Sequence, residues 1–142
     1  MLVRLMYASR AVSAVDQEEL LSILKKSKAN NARNGITGAL CLCTQERIFV
    51  QVLEGSRSVV NDVYRRILAD TRHVDVVLLQ YEEIEARRFS GWAMGQVNLS
   101  RLNPALLLKY SEQARLDPYS VSGKATMALF DELVTTAAIM GQ

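Results

Sequence analysis

The stretch Ile48-Phe49-Val50-Gln51-Val52-Leu53-Glu54-Gly55 decides how the rest of the chain is read. Eight residues, mostly β-branched or bulky and closed by a glycine, predict a strand. Strand side chains alternate, so Gln51 shares a face with Phe49 and Leu53, while Ile48, Val50 and Val52 line the other. A primary amide offers two donors and two acceptor lone pairs, and burying it unpaired costs about 1–3 kcal/mol. Three accounts of Gln51 are open: its face is wet, it bonds a neighbouring backbone, or it meets a ligand.

On either side of this strand the chain alternates in a regular order. Leu2–Ala8 predicts a first strand, with Val3, Leu5 and Tyr7 on one face. A loop over Ser9–Val15 leads to a helix that starts at the N-cap Asp16, with Glu19 in a capping-box position, and stops at Asn34-Gly35. Ile36–Thr44 predicts the second strand, Gln45–Glu46 a tight turn, and Arg47–Glu54 the third strand. A second helix runs from Gly55-Ser56 to about Asp70. Val74–Tyr81 predicts a fourth strand, Glu82–Arg88 a charged loop, and Gly91–Val97 a fifth strand with Trp92, Met94 and Gln96 on one face. The order β-α-β-β-α-β-β predicts an α+β, ferredoxin-like fold in which two helices cover one face of an antiparallel sheet.

Two more helices are expected at the end, Asn103 to about Gln113 and Ser120 to about Met140, separated by Asp117-Pro118. The sheet's second face, with Leu2, Met6, Ile48, Val50 and Val52, is too apolar to leave wet. The C-terminal helices are expected to cover it, alone or with a second subunit, and the broad apolar face of the last helix points to a homo-oligomer. Residues 1–98 form the expected core, and residues 99–142 a helical extension of the same compact domain.

The 142 residues suit one domain with an ordinary core, and 49% hydrophobic with 23% charged residues is a globular composition. The net charge of +2 is spread over scattered basic pairs (Lys25-Lys26, Arg65-Arg66, Arg87-Arg88), which argues against nucleic acid. No apolar run is long enough to span a bilayer and none resembles a signal peptide. Cys41 and Cys43 project side by side from one strand, a poor disulfide geometry, and read as small core residues in a reduced, cytoplasmic setting.

Candidate site residues come from the faces. In the first helix Leu20, Ile23, Leu24, Ser27, Asn30, Asn31 and Asn34 form one stripe, apolar in its first half and polar in its second. Either the helix emerges into solvent there, or the stripe faces a ligand with an apolar body and a polar edge. In a ferredoxin-like sheet the first and third strands are neighbours, so Tyr7 and Gln51 can meet in the floor of a cleft between the two helices. Asn31 would enter from the side, with Ile23 and Ile67 as walls. Such a cleft suits a flat heteroaromatic ring with polar edge atoms, the shape of an isoalloxazine.

At this point the sequence resembles the BLUF domains, blue-light sensors that use FAD. The resemblance covers roughly residues 1–98. It is carried by Tyr7-Ala8-Ser9, by Ser27 to Gly38 with Asn31, Arg33, Gly35 and Thr37, by Phe49 to Gly55, by Asp70-Thr71-Arg72-His73, and by Arg87 to Met94 with Phe89, Gly91 and Trp92. It implies that Tyr7 donates an electron to photoexcited flavin and that Gln51 bridges Tyr7 and the flavin edge. It implies further that Asn31 hydrogen-bonds the ring, that Ile23 and Ile67 sandwich it, and that Met94 or Trp92 relays the change. Arg66, Asp70, Arg72 and His73 are either contacts to the ribityl or diphosphate edge or a solvated helix end and turn. The chain reads as a short, stand-alone member that signals to a partner protein.

An amide can exchange its donor and acceptor ends without a change of charge, so Gln51 is suited to be a light-driven switch that reaches the last strand and the C-terminal helices. Competing readings are a flavin-binding adaptor without photochemistry and a small ferredoxin-like hydrolase. For the hydrolase Arg10 is available in the first loop, but no nucleophile–base pair accompanies it. An RNA-binding sheet would need stacking aromatics where Ile48, Val50 and Val52 stand.

Overall fold

The computed structural model describes residues 1–43, 46–98, 102–136 and 139. Its elements follow the predicted order: β1 (Leu2–Ala11), α1 (Gln17–Asn34), β2 (Thr37–Cys43), β3 (Ile48–Ser56), α2 (Arg57–Ala69), β4 (His73–Ile84), β5 (Gly95–Asn98), α3 (Pro104–Tyr110) and α4 (Gly123–Thr135). The strands lie in one sheet in the order β4-β1-β3-β2-β5. The first four are antiparallel, and β5 joins the edge parallel to β2. The sheet is therefore mixed, not purely antiparallel as expected, because residues 85–94 carry the chain from the β4 edge across to the opposite edge before β5 starts.

Local chemistry sets the boundaries. Asp16 caps α1 by accepting a hydrogen bond from the Glu19 backbone at 2.8 Å, and Gly35 ends it in the left-handed region at φ 67°. The close approach of β2 to β3 needs Gly38, since a Cβ there would lie inside the Val52 carbonyl. Asn103 and Ser122 cap α3 and α4 through side-chain oxygens.

Several predicted boundaries are corrected. β1 continues to Ala11 because β3 pairs with it as far as Arg10 and β4 as far as Ala11, so Arg10 is a strand residue and not part of a loop. β4 starts at His73 and runs to Ile84, taking in part of the expected charged loop. Its Glu82 and Glu83 pair across to Arg4 and Val3. β5 is only four residues long, and Trp92 and Met94 precede it in irregular chain. α3 stops at Tyr110 and α4 at Thr135, short of the expected Gln113 and Met140. Part of the predicted turn (44–45), the boundary between core and extension (99–101) and most of the expected end of the last helix (137–138 and 140) lie outside the described residues.

Two apolar clusters sandwich the sheet. On the face toward α1 and α2 lie Val3, Leu5, Tyr7, Leu20, Leu24, Leu40, Leu53, Val60 and Met94. On the other lie Met6, Ile48, Val50, Val52 and Phe89, covered by Leu107, Met127, Leu129, Phe130 and Leu133 of α3 and α4. The C-terminal helices thus close the second face, as its apolar pattern required. Cys41 is buried in that face, and the side chain of Cys43 lies outside the described residues. β4 is an edge strand, which is why Val74, Val77, Leu78 and Tyr81 remain exposed despite their apolar character. Among the described residues no helix is long and apolar enough to cross a membrane.

Candidate functional site

The antiparallel register of β1 and β3 places Tyr7 directly opposite Gln51, on the face toward α1 and α2. The Tyr7 hydroxyl donates a hydrogen bond to Gln51 Oε1, and Gln51 Nε2 donates to the sulfur of Met94 at 3.5 Å. Gln51 is 8% exposed and Tyr7 5%. The buried amide is thus satisfied at both ends, by a hydroxyl that donates and by a sulfur that only accepts. Burial pushes the Tyr7 phenol well above its ordinary value of 10, helped by Tyr64 and by the Asp70 carboxylate.

Around this pair lies a cavity of about 370 Å³. α1 supplies Ile23, Ser27, Asn30 and Asn31 to one wall, so the stripe that turns polar in its second half does face a cavity. α2 and its end supply Val63, Arg66, Ile67 and Asp70 to the other, and Arg72 and His73 complete the rim. Asn31 is buried, and its Nδ2 donates to the Ala93 carbonyl at 2.7 Å, which ties α1 to the segment before β5. Asn30 is exposed at the rim and accepts a hydrogen bond from Arg33.

The four rim residues differ in what they leave available. Arg72 grips Asp70 through Nη2 and Nε at 2.6 and 3.0 Å, and its backbone donates to the same carboxylate at 2.9 Å. That grip lowers the Asp70 carboxyl to about 2 and raises the guanidinium. His73 uses both ring nitrogens within the protein: Nε2 lies 2.7 Å from the Ile67 carbonyl and Nδ1 2.9 Å from the Ser9 hydroxyl. A carbonyl only accepts, so Nε2 carries a proton, while Nδ1 is paired with a hydroxyl that can donate or accept. Arg66 has no partner among the described residues and is the rim cation left to meet an anion.

Trp92 and Met94 do not share a face. Met94 is fully buried in the cluster that holds Tyr7, while Trp92 packs into the cluster under α3 and α4. The expected common face fails because both residues precede β5, where strand alternation does not apply. Arg10 points away from the cavity, stacks over Tyr119 at 4.4 Å and lies 3.6 Å from Asp75, so no hydrolytic group forms around it. Two contributors were not singled out from sequence. Tyr64 lies with its ring centroid 5.8 Å from that of Tyr7, and Ser9 orients His73. Tyr64 was hidden among the apolar positions of the second helix, and Ser9 within the predicted loop.

Comparison with known proteins agrees with this geometry. The family model for BLUF, described as sensors of blue light using FAD, matches residues 2–95. The chain is 33% identical over 94 residues to the photoactivated adenylate cyclase subunit beta of Euglena gracilis, a match over 66% of this chain and 11% of that protein. It therefore spans about a tenth of the length of the curated relatives it matches. Its structure superposes on BlsA in the photo-activated state with a TM-score of 0.83 at 28% identity, covering 94% of this chain and 95% of the other. Against BlrB, a BLUF protein in its dark state, the TM-score is 0.78 at 32% identity, with 96% of each chain covered. The chain belongs to the BLUF family of flavin-binding blue-light photoreceptors.

Proposed function

We propose that this chain binds FAD non-covalently in the cavity between α1 and α2 and responds to blue light through Tyr7 and Gln51. The observation that carries this reading is the Tyr7–Gln51–Met94 chain of hydrogen bonds in the cavity wall. The residues present fit the group. Ile23 and Ile67 offer apolar faces to a flat ring, Gln51 and Asn31 offer amides to its edge, and the cavity volume falls within the range of small-molecule sites. FAD rather than a mononucleotide is favoured by the unpaired Arg66 at the rim, beside the paired Arg72, where a diphosphate needs positive charge.

A bound flavin supplies the absorption of blue light and, once excited, an acceptor for one electron. Tyr7 is the donor. Its phenol stays protonated at neutral pH, so it holds both an electron and a proton to give, and the proton has a path along its bond to Gln51. Gln51 responds by rotating its carboxamide, and the electron and proton return to Tyr7, so that nothing is oxidised or reduced overall. With Oε1 and Nε2 exchanged, an acceptor would face the Met94 sulfur, itself an acceptor, and that contact is lost. Release of Met94 reaches β5, which begins at the next residue, and Trp92 two residues before, which packs on the α4 cluster. A relay of this kind needs two discrete packings rather than one displaced atom.

The output passes through α3 and α4 to a partner protein in the cytoplasm, and the chain self-associates. Co-purification of binding proteins in dark and light tests the first statement, and sedimentation the second. The photochemistry is tested with purified, flavin-loaded protein. Blue light should produce a reversible red shift in the wild type, and Tyr7→Phe should keep the flavin but lose the shift. A normal photocycle in Tyr7→Phe would refute the role of the phenol.

A further inference from the structure

Glu54 is fully buried, three residues beyond Gln51 on β3, and on the opposite face. Its Oε2 accepts from Arg4, directly across on β1, through Nε and Nη2 at 2.8 Å each. The same carboxylate accepts the backbone N–H groups of Arg88 at 3.0 Å and Phe89 at 2.8 Å. A bare backbone amide does not need a buried carboxylate, and a buried charge is costly unless it is fully bonded. The carboxylate therefore has a particular structural object, and that object is the segment after β4.

This segment is tied again from Trp92 onward. The Trp92 backbone donates to the Phe89 carbonyl at 3.0 Å, and the Trp92 carbonyl accepts from Gly38 at 3.0 Å. The next two residues are Ala93, whose carbonyl receives Asn31, and Met94, whose sulfur receives Gln51. From its other end Phe89 meets Phe130 of α4 edge to face at 6.3 Å, and Arg88 lies 3.2 Å from Asp131 of the same helix.

We infer that Glu54 is the positioning residue that sets where Ala93 and Met94 sit against Asn31 and Gln51, and so sets the barrier between the two arrangements of the light switch. It touches neither the cavity nor Gln51 and acts only through the backbone of residues 88–94. This inference rests on the proposed photochemistry of Tyr7 and Gln51. With the anchor weakened, the segment reaches either packing more easily and the lit state relaxes faster.

The test is the dark recovery rate of the flavin-loaded full chain after a blue-light pulse, in the wild type and three variants. Glu54→Gln replaces one acceptor oxygen by a donor that cannot serve an N–H group, and should speed recovery at least fivefold with flavin retained. Glu54→Asp keeps the charge beside Arg4 but draws the carboxylate back from the two amides, and should also speed recovery, at least threefold. Glu82→Gln, which removes the other carboxylate bonded to Arg4 but leaves residues 88–94 alone, should recover within twofold of wild type. Wild-type recovery in Glu54→Asp, or acceleration by Glu82→Gln as large as that by either Glu54 variant, would overturn the inference. If Glu54→Gln fails to hold flavin, Glu54→Asp decides. A wild type without any red shift would instead refute the photochemical reading, which keeps the two failures apart.

Discussion

The two faces of this sheet are built from the same strands and do opposite work. The face toward α3 and α4 is filled: Met6, Val50, Val52, Phe89, Leu129, Phe130 and Leu133 are each 1% exposed or less. The face toward α1 and α2 is filled only at its end near Val3, Leu5 and Val60, and opens into a cavity where Tyr7, Asn31 and Gln51 stand. The polar atoms differ too. The Tyr7 hydroxyl and both ends of the Gln51 amide are bonded, whereas on the filled face Trp92 Nε1 is buried without a hydrogen bond among the described residues. A sensor wants its dark state well defined where the ligand sits. On the face to which the proposed relay leads, an unpaired buried donor leaves room for a second packing at small cost.

The largest expected difference between the faces is functional. Gln51→Leu should leave the fold and the bound flavin in place and abolish the light-induced red shift, read by light-minus-dark absorption; a retained shift would remove the amide from the mechanism. The next is energetic. Phe130→Ala should cost about 3–5 kcal/mol in denaturant unfolding because it empties a fully buried site. Ile23→Ala, half-buried beside the cavity, should cost only about 1 kcal/mol. Equal costs would mean that the two faces are packed alike.

A smaller effect belongs to the rim. Arg66→Ala should weaken FAD about tenfold, near 1.4 kcal/mol, and leave riboflavin binding within twofold. Equal losses for both ligands in a titration would place Arg66 away from the phosphates. The smallest effects are linked to pH. Asp70 titrates lower in the folded chain than in the unfolded one, so its stabilising share is present above pH 3.8 and is lost as the pH falls toward about 2. Tyr7 has the reverse sign: its share is complete below pH 10 and is lost as the pH rises past that value. Thermal melts across both ranges check this, with Asp70→Asn flattening the acid limb and Tyr7→Phe the alkaline one. Because Asp70 is only partly buried and its partner Arg72 is exposed, its limb should be shallow.

Much of this was legible in the chain because it rests on strand alternation and element order. Once β1 and β3 are neighbours, the pairing of Tyr7 with Gln51 follows from two residue numbers and a face. The polar half of α1 likewise follows from three- and four-residue spacing. What could not be read lies where periodicity gives out. Trp92 and Met94 alternate like strand residues in sequence, but the chain is still crossing to the far edge at that point, and they land on opposite sides of the sheet. The length of β4 was missed because Glu82 and Glu83 look like loop residues until Arg4 and Arg57 are found beside them. His73 offered two ring nitrogens on paper, and only the fold shows that both are taken.

The most direct measurement is light-minus-dark infrared spectroscopy of the flavin-loaded chain carrying isotope-labelled glutamine side chains, with Gln51→Leu to assign the signal. The account predicts an amide carbonyl band that shifts on illumination, returns in the dark with the same time course as the visible absorption, and is missing from Gln51→Leu. A visible red shift unaccompanied by any change in the Gln51 amide band would contradict it.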